Sequence, residues 1–158
     1  MTFVGLPYEV GPIRPPSEAP SLLIRATRNC PWNKCLFCPT YKGTRFERRP
    51  LEEVLQDIDR AAAYHGDVFR TAFLQDANSL VMKTDDLVQV LMRLKEKFPS
   101  VQRVTSYARA RTVARKSLEE LKQLHEAGLS RLHVGLESGY DPLLEYMNKG
   151  LTSELAIE

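Results

Sequence analysis

From Ser21 onward, short apolar runs alternate with segments of helical period, and this alternation limits the fold more than any other feature of the chain. Ser21–Thr27, Arg70–Gln75, Val101–Tyr107 and Arg131–Leu136 are strand-length runs. Between the first two, Pro50 occupies a plausible first helical position with Glu52 and Glu53 in the first turn. Leu51, Val54, Leu55, Ile58 and Ala62 then share one helical face. Thr84 is placed to cap the next helix, whose predicted buried face is Leu87, Val90, Leu91, Leu94 and Phe98 and which Pro99 stops. Ser117 and Glu120 have capping-box spacing, and the helix they open carries Leu118, Leu121 and Leu124 before Gly128 ends it. Asp141-Pro142 can start a short helix through Met147, and Thr152 can cap another. The connections are too long for hairpins, so the pattern predicts βαβ units on a parallel sheet, an α/β fold. Residues 1–20 hold Pro7, Pro12, Pro15, Pro16 and Pro20, which forbids a regular helix and predicts an extended arm preceding a core domain over 21–158.

All three cysteines lie within Cys30-Pro-Trp-Asn-Lys-Cys35-Leu-Phe-Cys38, a loop that begins where the first strand ends. A disulfide can use only two thiols, whereas thiolates are soft metal ligands suited to zinc, copper(I) or iron–sulfur clusters. A structural zinc site wants four ligands, and His65, His125 and His133 form no nearby pair to complete one. At the level of residue type, three readings stay open. They are an iron–sulfur cluster with one iron left free, a zinc or iron–sulfur module that only stabilises or carries electrons, and three ordinary thiols.

The chain has 158 residues, enough for one domain with a real core, with 43% hydrophobic and 27% charged residues. A formal charge of +2 gives no argument for nucleic acid or an anionic membrane as partner. Arg45, Arg48 and Arg49 read as a local solvated face. No apolar run approaches a membrane span, and no secretory signal is evident. Clustered cysteines without an export signal predict a reducing, cytoplasmic setting.

In parallel α/β sheets, ligands gather at the carboxyl ends of the strands. The chemistry-bearing residues fall there: the cysteines after the first strand, Asp76 and Asn78 after the second, Ser106 and Arg109 at the third, and Glu137 after the fourth. That convergence on one rim points to an active site rather than a structural metal.

With these residues in view, the chain resembles the radical S-adenosylmethionine (SAM) enzymes. Members carry a C-x₃-C-x₂-C loop after the first strand of a partial (βα)₆ barrel, with an aromatic residue before the last cysteine, as Phe37 precedes Cys38 here. The stretch His133-Val-Gly-Leu-Glu-Ser-Gly139 with Asp141–Gly150 is similar to the fourth-strand region of the subgroup containing methylthiotransferases, oxygen-independent coproporphyrinogen oxidases and the Elongator catalytic subunit. The resemblance implies that Cys30, Cys35 and Cys38 bind a [4Fe–4S] cluster whose free iron chelates the amino and carboxylate groups of SAM. It places Phe37 near the adenine and Asp76-Ala-Asn78 where a Gly-Gly-Glu-like motif faces the SAM amino group. Glu137, with Ser106 or Arg109, is implied at the ribose or methionine end. It further implies a low-potential electron donor of flavodoxin or ferredoxin type, and a substrate lying over the strand ends that the sequence does not identify. Two departures stand out: the spacing here is C-x₄-C-x₂-C, and the 158 residues supply about four of the six expected strand–helix units, so the domain is expected to be incomplete at its C-terminus.

Overall fold

The computed structural model describes residues 5–158; the first four residues of the proline-rich segment lie outside the described residues. Strands β1 (Leu22–Arg25), β4 (Thr71–Gln75), β5 (Arg103–Ala108) and β6 (Leu129–Val134) form one parallel sheet in the order β1-β4-β5-β6. Two short strands, β2 (Thr27–Arg28) and β3 (Glu47–Arg48), pair antiparallel across the base of the cysteine loop. The helices α1 (Leu51–His65), α2 (Thr84–Lys97), α3 (Ala110–Ala114), α4 (Leu118–Glu126), α5 (Asp141–Tyr146) and α6 (Ser153–Ile157) complete the chain. The α/β class and parallel sheet expected from the alternation are present.

Apolar spacing decides which helix faces pack. Val54, Ile58 and Ala61 of α1 and Leu87, Val90, Leu91 and Leu94 of α2 are buried together with Ile24, Leu74 and Phe98. Removing a side chain such as Ile58 from this layer would cost about 2–5 kcal/mol. On α1, Ala61 is more fully buried than Ala62, with Leu51, Leu55 and Ala62 partly buried, and Asp57 on the buried side pairs with Arg49 at 2.8 Å. That pair also corrects the reading of the arginine cluster as a solvated face. Arg45 and Arg48 are exposed, but Arg49 is buried, donating to the Arg25 carbonyl at 2.7 Å.

Two capping expectations changed. Pro50 sits at the N-cap of α1 rather than inside it, and Lys83 caps α2, leaving Thr84 as its first residue. The Thr84 hydroxyl instead donates to Glu120 at 2.6 Å and accepts from Lys116, tying α2 to the start of α4. The Ser117–Glu120 capping box is formed as the spacing predicts. Of the apolar residues assigned to α4, Leu124 is buried while Leu118 is exposed.

The arm runs extended over the sheet from Leu6, with a single 3₁₀ turn at Pro16–Glu18. Gln75, the last residue of β4, fixes it: the side chain accepts from the Gly11 N–H at 2.8 Å and donates to the Ile13 carbonyl at 2.7 Å. Gly11 is required by this crossing, since a Cβ there would lie 2.9 Å from Asp76 Oδ1.

Candidate active site

The strand ends open into a cavity of about 210 Å³. Cys30, Cys35, Cys38, Phe37 and Trp32 of the loop line one part, and Arg109, Arg111, Glu137, Lys149 and Gly150 another. Ile13 of the arm, Tyr41, Tyr107 and His133 also stand on the wall. The three cysteines are free and partly exposed. Among the described residues, no three His, Cys, Asp or Glu side chains close on a point that would hold a single metal ion.

The loop owes its shape to two asparagines. Asn29 (φ 68°) and Asn33 (φ 49°) take left-handed conformations that asparagine tolerates better than most residues. They reverse the chain on either side of Cys30, whose sulfur accepts the Asn33 N–H at 3.4 Å. Burial pushes the Cys35 thiol pKa up, while the positive charges of Lys149 and Arg109 pull the other way. These two cations partly offset the cost of charging Cys35 where it is buried.

Asp76 holds both ends of this loop. It is fully buried at the end of β4. Its Oδ2 accepts the Asn29 N–H at 3.0 Å and the Arg25 guanidinium at 2.6 and 2.9 Å. Its Oδ1 accepts the hydroxyl of Tyr41, three residues beyond Cys38. Arg25 also meets Glu9 of the arm at 2.8 Å, so arm, first strand and cysteine loop share one charged junction. Burial of the Tyr41 phenol and the adjacent Asp76 charge raise its pKa far above the ordinary range, keeping it a donor.

Six of the nine residues singled out in the sequence face the cavity: Cys30, Cys35, Cys38, Phe37, Arg109 and Glu137. Asp76, Asn78 and Ser106 are not among the residues that line it; their side chains are buried and bonded within the protein. Asn78 is buried, donating to the Thr112 hydroxyl at 2.7 Å and accepting the Arg109 N–H. Ser106 is buried and donates to the Leu74 carbonyl at 3.2 Å. Of the stretch 76–78, Ala77 reaches the wall. Glu137 is exposed, has φ 66°, and pairs with Lys149 at 3.0 Å. A non-glycine residue in this region carries roughly 1–3 kcal/mol of strain, which is typically retained where a side chain must be aimed.

Tyr41, Lys149, Ile13 and Tyr107 were not legible as site residues. Lys149 follows a short helix and Ile13 lies in a proline-rich arm, and neither position carries a local chemical signature. His133 stands with its ring edge-on to Phe73 and Tyr107 and Nε2 at 3.4 Å from the buried Glu18.

The family model described as the Radical SAM superfamily matches residues 24–158, a span holding the cysteine loop, nearly all of the sheet and every cavity-lining residue but Ile13. The chain belongs to that superfamily. Enzymes of the radical SAM superfamily use a [4Fe–4S] cluster and SAM. The chain is 34% identical over 128 residues to a tRNA-2-methylthio-N(6)-dimethylallyladenosine synthase of Syntrophus aciditrophicus (strain SB), covering 76% of this chain and 26% of that protein. It is 27% identical over 151 residues to a 4'-phospho-dehydrooxetanocin synthase of Priestia megaterium, covering 85% of this chain and 20% of the relative. A solved structure of the cobalamin-dependent S-adenosylmethionine radical enzyme OxsB, with aqua-cobalamin and S-adenosylmethionine bound, shares the fold at a TM-score of 0.60 and 24% identity. It covers 84% of this radical SAM chain and 20% of that one. The chain thus spans about a fifth to a quarter of the length of these relatives. No helix among the described residues is long and apolar enough to cross a membrane.

Proposed function

We propose that Cys30, Cys35 and Cys38 hold a [4Fe–4S] cluster with one iron free of protein ligands, and that SAM binds in the adjoining cavity for reductive cleavage. The observation that carries this is that all three thiols line one cavity at the strand ends, together with polar groups from the other strand ends. A cubane has four irons, so three thiolates leave one of them open. The cationic side chains of Lys149 and Arg109 beside the cysteines suit the negative charge such a group carries. When bound, the cluster supplies one electron to the sulfonium of SAM, breaking a C–S bond to give methionine and a 5'-deoxyadenosyl radical that takes a hydrogen atom from substrate.

The protein's part is placement and shielding. Asp76 fixes the loop ends, Phe37 offers an exposed aromatic face, and Arg109 and Glu137 offer charge of opposite sign to the methionine and ribose ends of SAM. Ile13 and Tyr107 give the cavity apolar and aromatic walls. Each reductive cleavage takes one electron, so a low-potential donor of flavodoxin or ferredoxin type is part of the proposal. The substrate stands over the strand ends beside Glu137, and its class is left open.

Anaerobic reconstitution tests the reading. The protein should take up iron and sulfide, give a reduced-cluster EPR signal that changes on adding SAM, and yield 5'-deoxyadenosine with dithionite. Cys35→Ser should abolish the signal. Zinc without sulfide, or a cluster signal blind to SAM, would instead establish a structural or electron-carrying module.

A further inference from the structure

Resting on the cluster-binding reading, we propose that the turn Met147–Gly150 sets the geometry of the cysteine loop, with Trp32 as the positioning residue that couples the two. The loop's first gap, Cys30 to Cys35, contains Pro31, Trp32, Asn33 and Lys34. The turn follows α5 and closes its end, the Leu144 carbonyl accepting the Lys149 N–H at 3.0 Å and the Glu145 carbonyl the Asn148 N–H at 2.8 Å, so the turn's own carbonyls point elsewhere. Here three successive carbonyls are taken by the loop or by a residue stacked on it. The Met147 carbonyl accepts the Leu36 N–H at 2.9 Å. The Asn148 carbonyl accepts the Trp32 indole N–H at 2.8 Å. The Lys149 carbonyl accepts the Arg109 guanidinium at 3.0 Å, and that guanidinium lies over the Trp32 ring at 4.9 Å.

The backbone of the turn is shaped for this contact. Asn148 (φ 53°) and Gly150 (φ 66°) are both left-handed, which ends the helix and turns the carbonyls of Met147, Asn148 and Lys149 toward the loop and Arg109. Gly150 is also the floor on which the indole rests. A Cβ there would lie 2.5 to 2.9 Å from three atoms of the Trp32 ring. The same turn delivers the Lys149 side chain, whose ammonium pairs with Glu137 at 3.0 Å and stands 5.6 Å over the Phe37 ring. A four-residue gap between cysteines gives the loop freedom that the side chain inside it removes. Trp32 thereby fixes the separation of Cys30 and Cys35, and the turn transmits the position of the fourth strand–helix unit to the ligands of the first.

The test uses Trp32→Ala, Trp32→Phe and Gly150→Ala in the full chain, with two readouts. The first is the alkylation rate of each cysteine by iodoacetamide in metal-free protein, read by mass spectrometry. The second is the EPR spectrum of the reduced, reconstituted protein. Trp32→Ala and Gly150→Ala should each raise the Cys30 and Cys35 rates severalfold over Cys38, with unchanged far-UV ellipticity, and should shift the EPR g-values. The double variant should be no worse than the worse single one, since both break the same contact. Trp32→Phe, keeping a ring over Gly150 but losing the bond to Asn148, should fall between. Wild-type rates and spectra in Trp32→Ala and Gly150→Ala would overturn the proposal. So would unfolding of Trp32→Ala while Trp32→Phe and Gly150→Ala keep wild-type rates. A wild-type protein that takes up no cluster would refute the cluster reading alone, and the alkylation pattern would still decide this one.

Discussion

Asp76 and Glu137 occupy matching places, each a carboxylate just past the end of a parallel strand, yet their surroundings give them opposite roles. Asp76 follows an inner strand and lies beneath the arm, fully buried, with both oxygens engaged by Arg25, Asn29 and Tyr41. Glu137 follows β6, which pairs with β5 alone, and its exposed side chain has Lys149 as its one hydrogen-bond partner among the described residues. A buried carboxylate must have its charge and lone pairs satisfied, and once they are it holds its donors in place. An exposed carboxylate keeps most of its hydrogen-bonding capacity for a ligand. The difference lies in what covers the strand end.

The contrast can be broken most directly at Asp76. Asp76→Ala leaves the Arg25 charge half-paired and two loop anchors without an acceptor. We expect a loss of about 3–5 kcal/mol, the cost of removing one partner from a buried ion pair, and a Tm drop of roughly 10 °C by calorimetry. Wild-type stability in this variant would mean that the junction is not what secures the loop.

Acid should attack the same junction through Glu9. Burial alone would raise its pKa, but the hydrogen bond from Arg28 and the charges of Arg49, Arg28 and Arg25 hold it below the usual carboxylate range. A depressed folded-state pKa contributes stability that is fully present above the unfolded value of about 4.3 and is lost as pH falls through the folded value. Glu9→Gln should therefore flatten the acid limb of a stability–pH profile below about pH 4.3 while lowering stability at pH 7. A profile parallel to wild type would remove Glu9 from the account.

The smallest stability effect is expected on the other side of the contrast. Glu137→Gly gives up an exposed ion pair worth about 0–1 kcal/mol but relieves a left-handed backbone, so net stability should change by less than about 1 kcal/mol. SAM affinity, measured by calorimetric titration on the reconstituted protein, should still fall about tenfold, as for the loss of one hydrogen bond involving a charged group. A large Tm change with unaltered affinity would reverse the roles assigned to the two carboxylates.

Much of the architecture was legible in short windows. The capping box at Ser117, the apolar face of α2 and the strand–helix alternation are local patterns, and each reappears in the structure within a few residues of its expected bounds. Family membership was legible too, because the cysteine loop and the His133–Gly150 segment are contiguous. The site was legible only as a place. Six of its nine named residues face the cavity, but Asp76, Asn78 and Ser106 are turned into the protein by partners far away in the chain. Arg49 departed from its expected place for the same reason, since Asp57 gave the charge a buried partner.

The sequence alone determined the order of the four parallel strands and of the main helices between them, and the cluster of three thiols, because hydrophobic period and residue chemistry are local in the chain; β2, β3 and α3 carry no such period. The tertiary structure decided which strand-end groups face inward and what fixes the cysteine loop. Those outcomes depend on pairings such as Arg25 with Asp76, 51 residues apart, and Trp32 with Asn148, 116 residues apart. A side chain's burial is set by everything packed against it, and for these residues that surface exists only once the first and fourth strand–helix units meet.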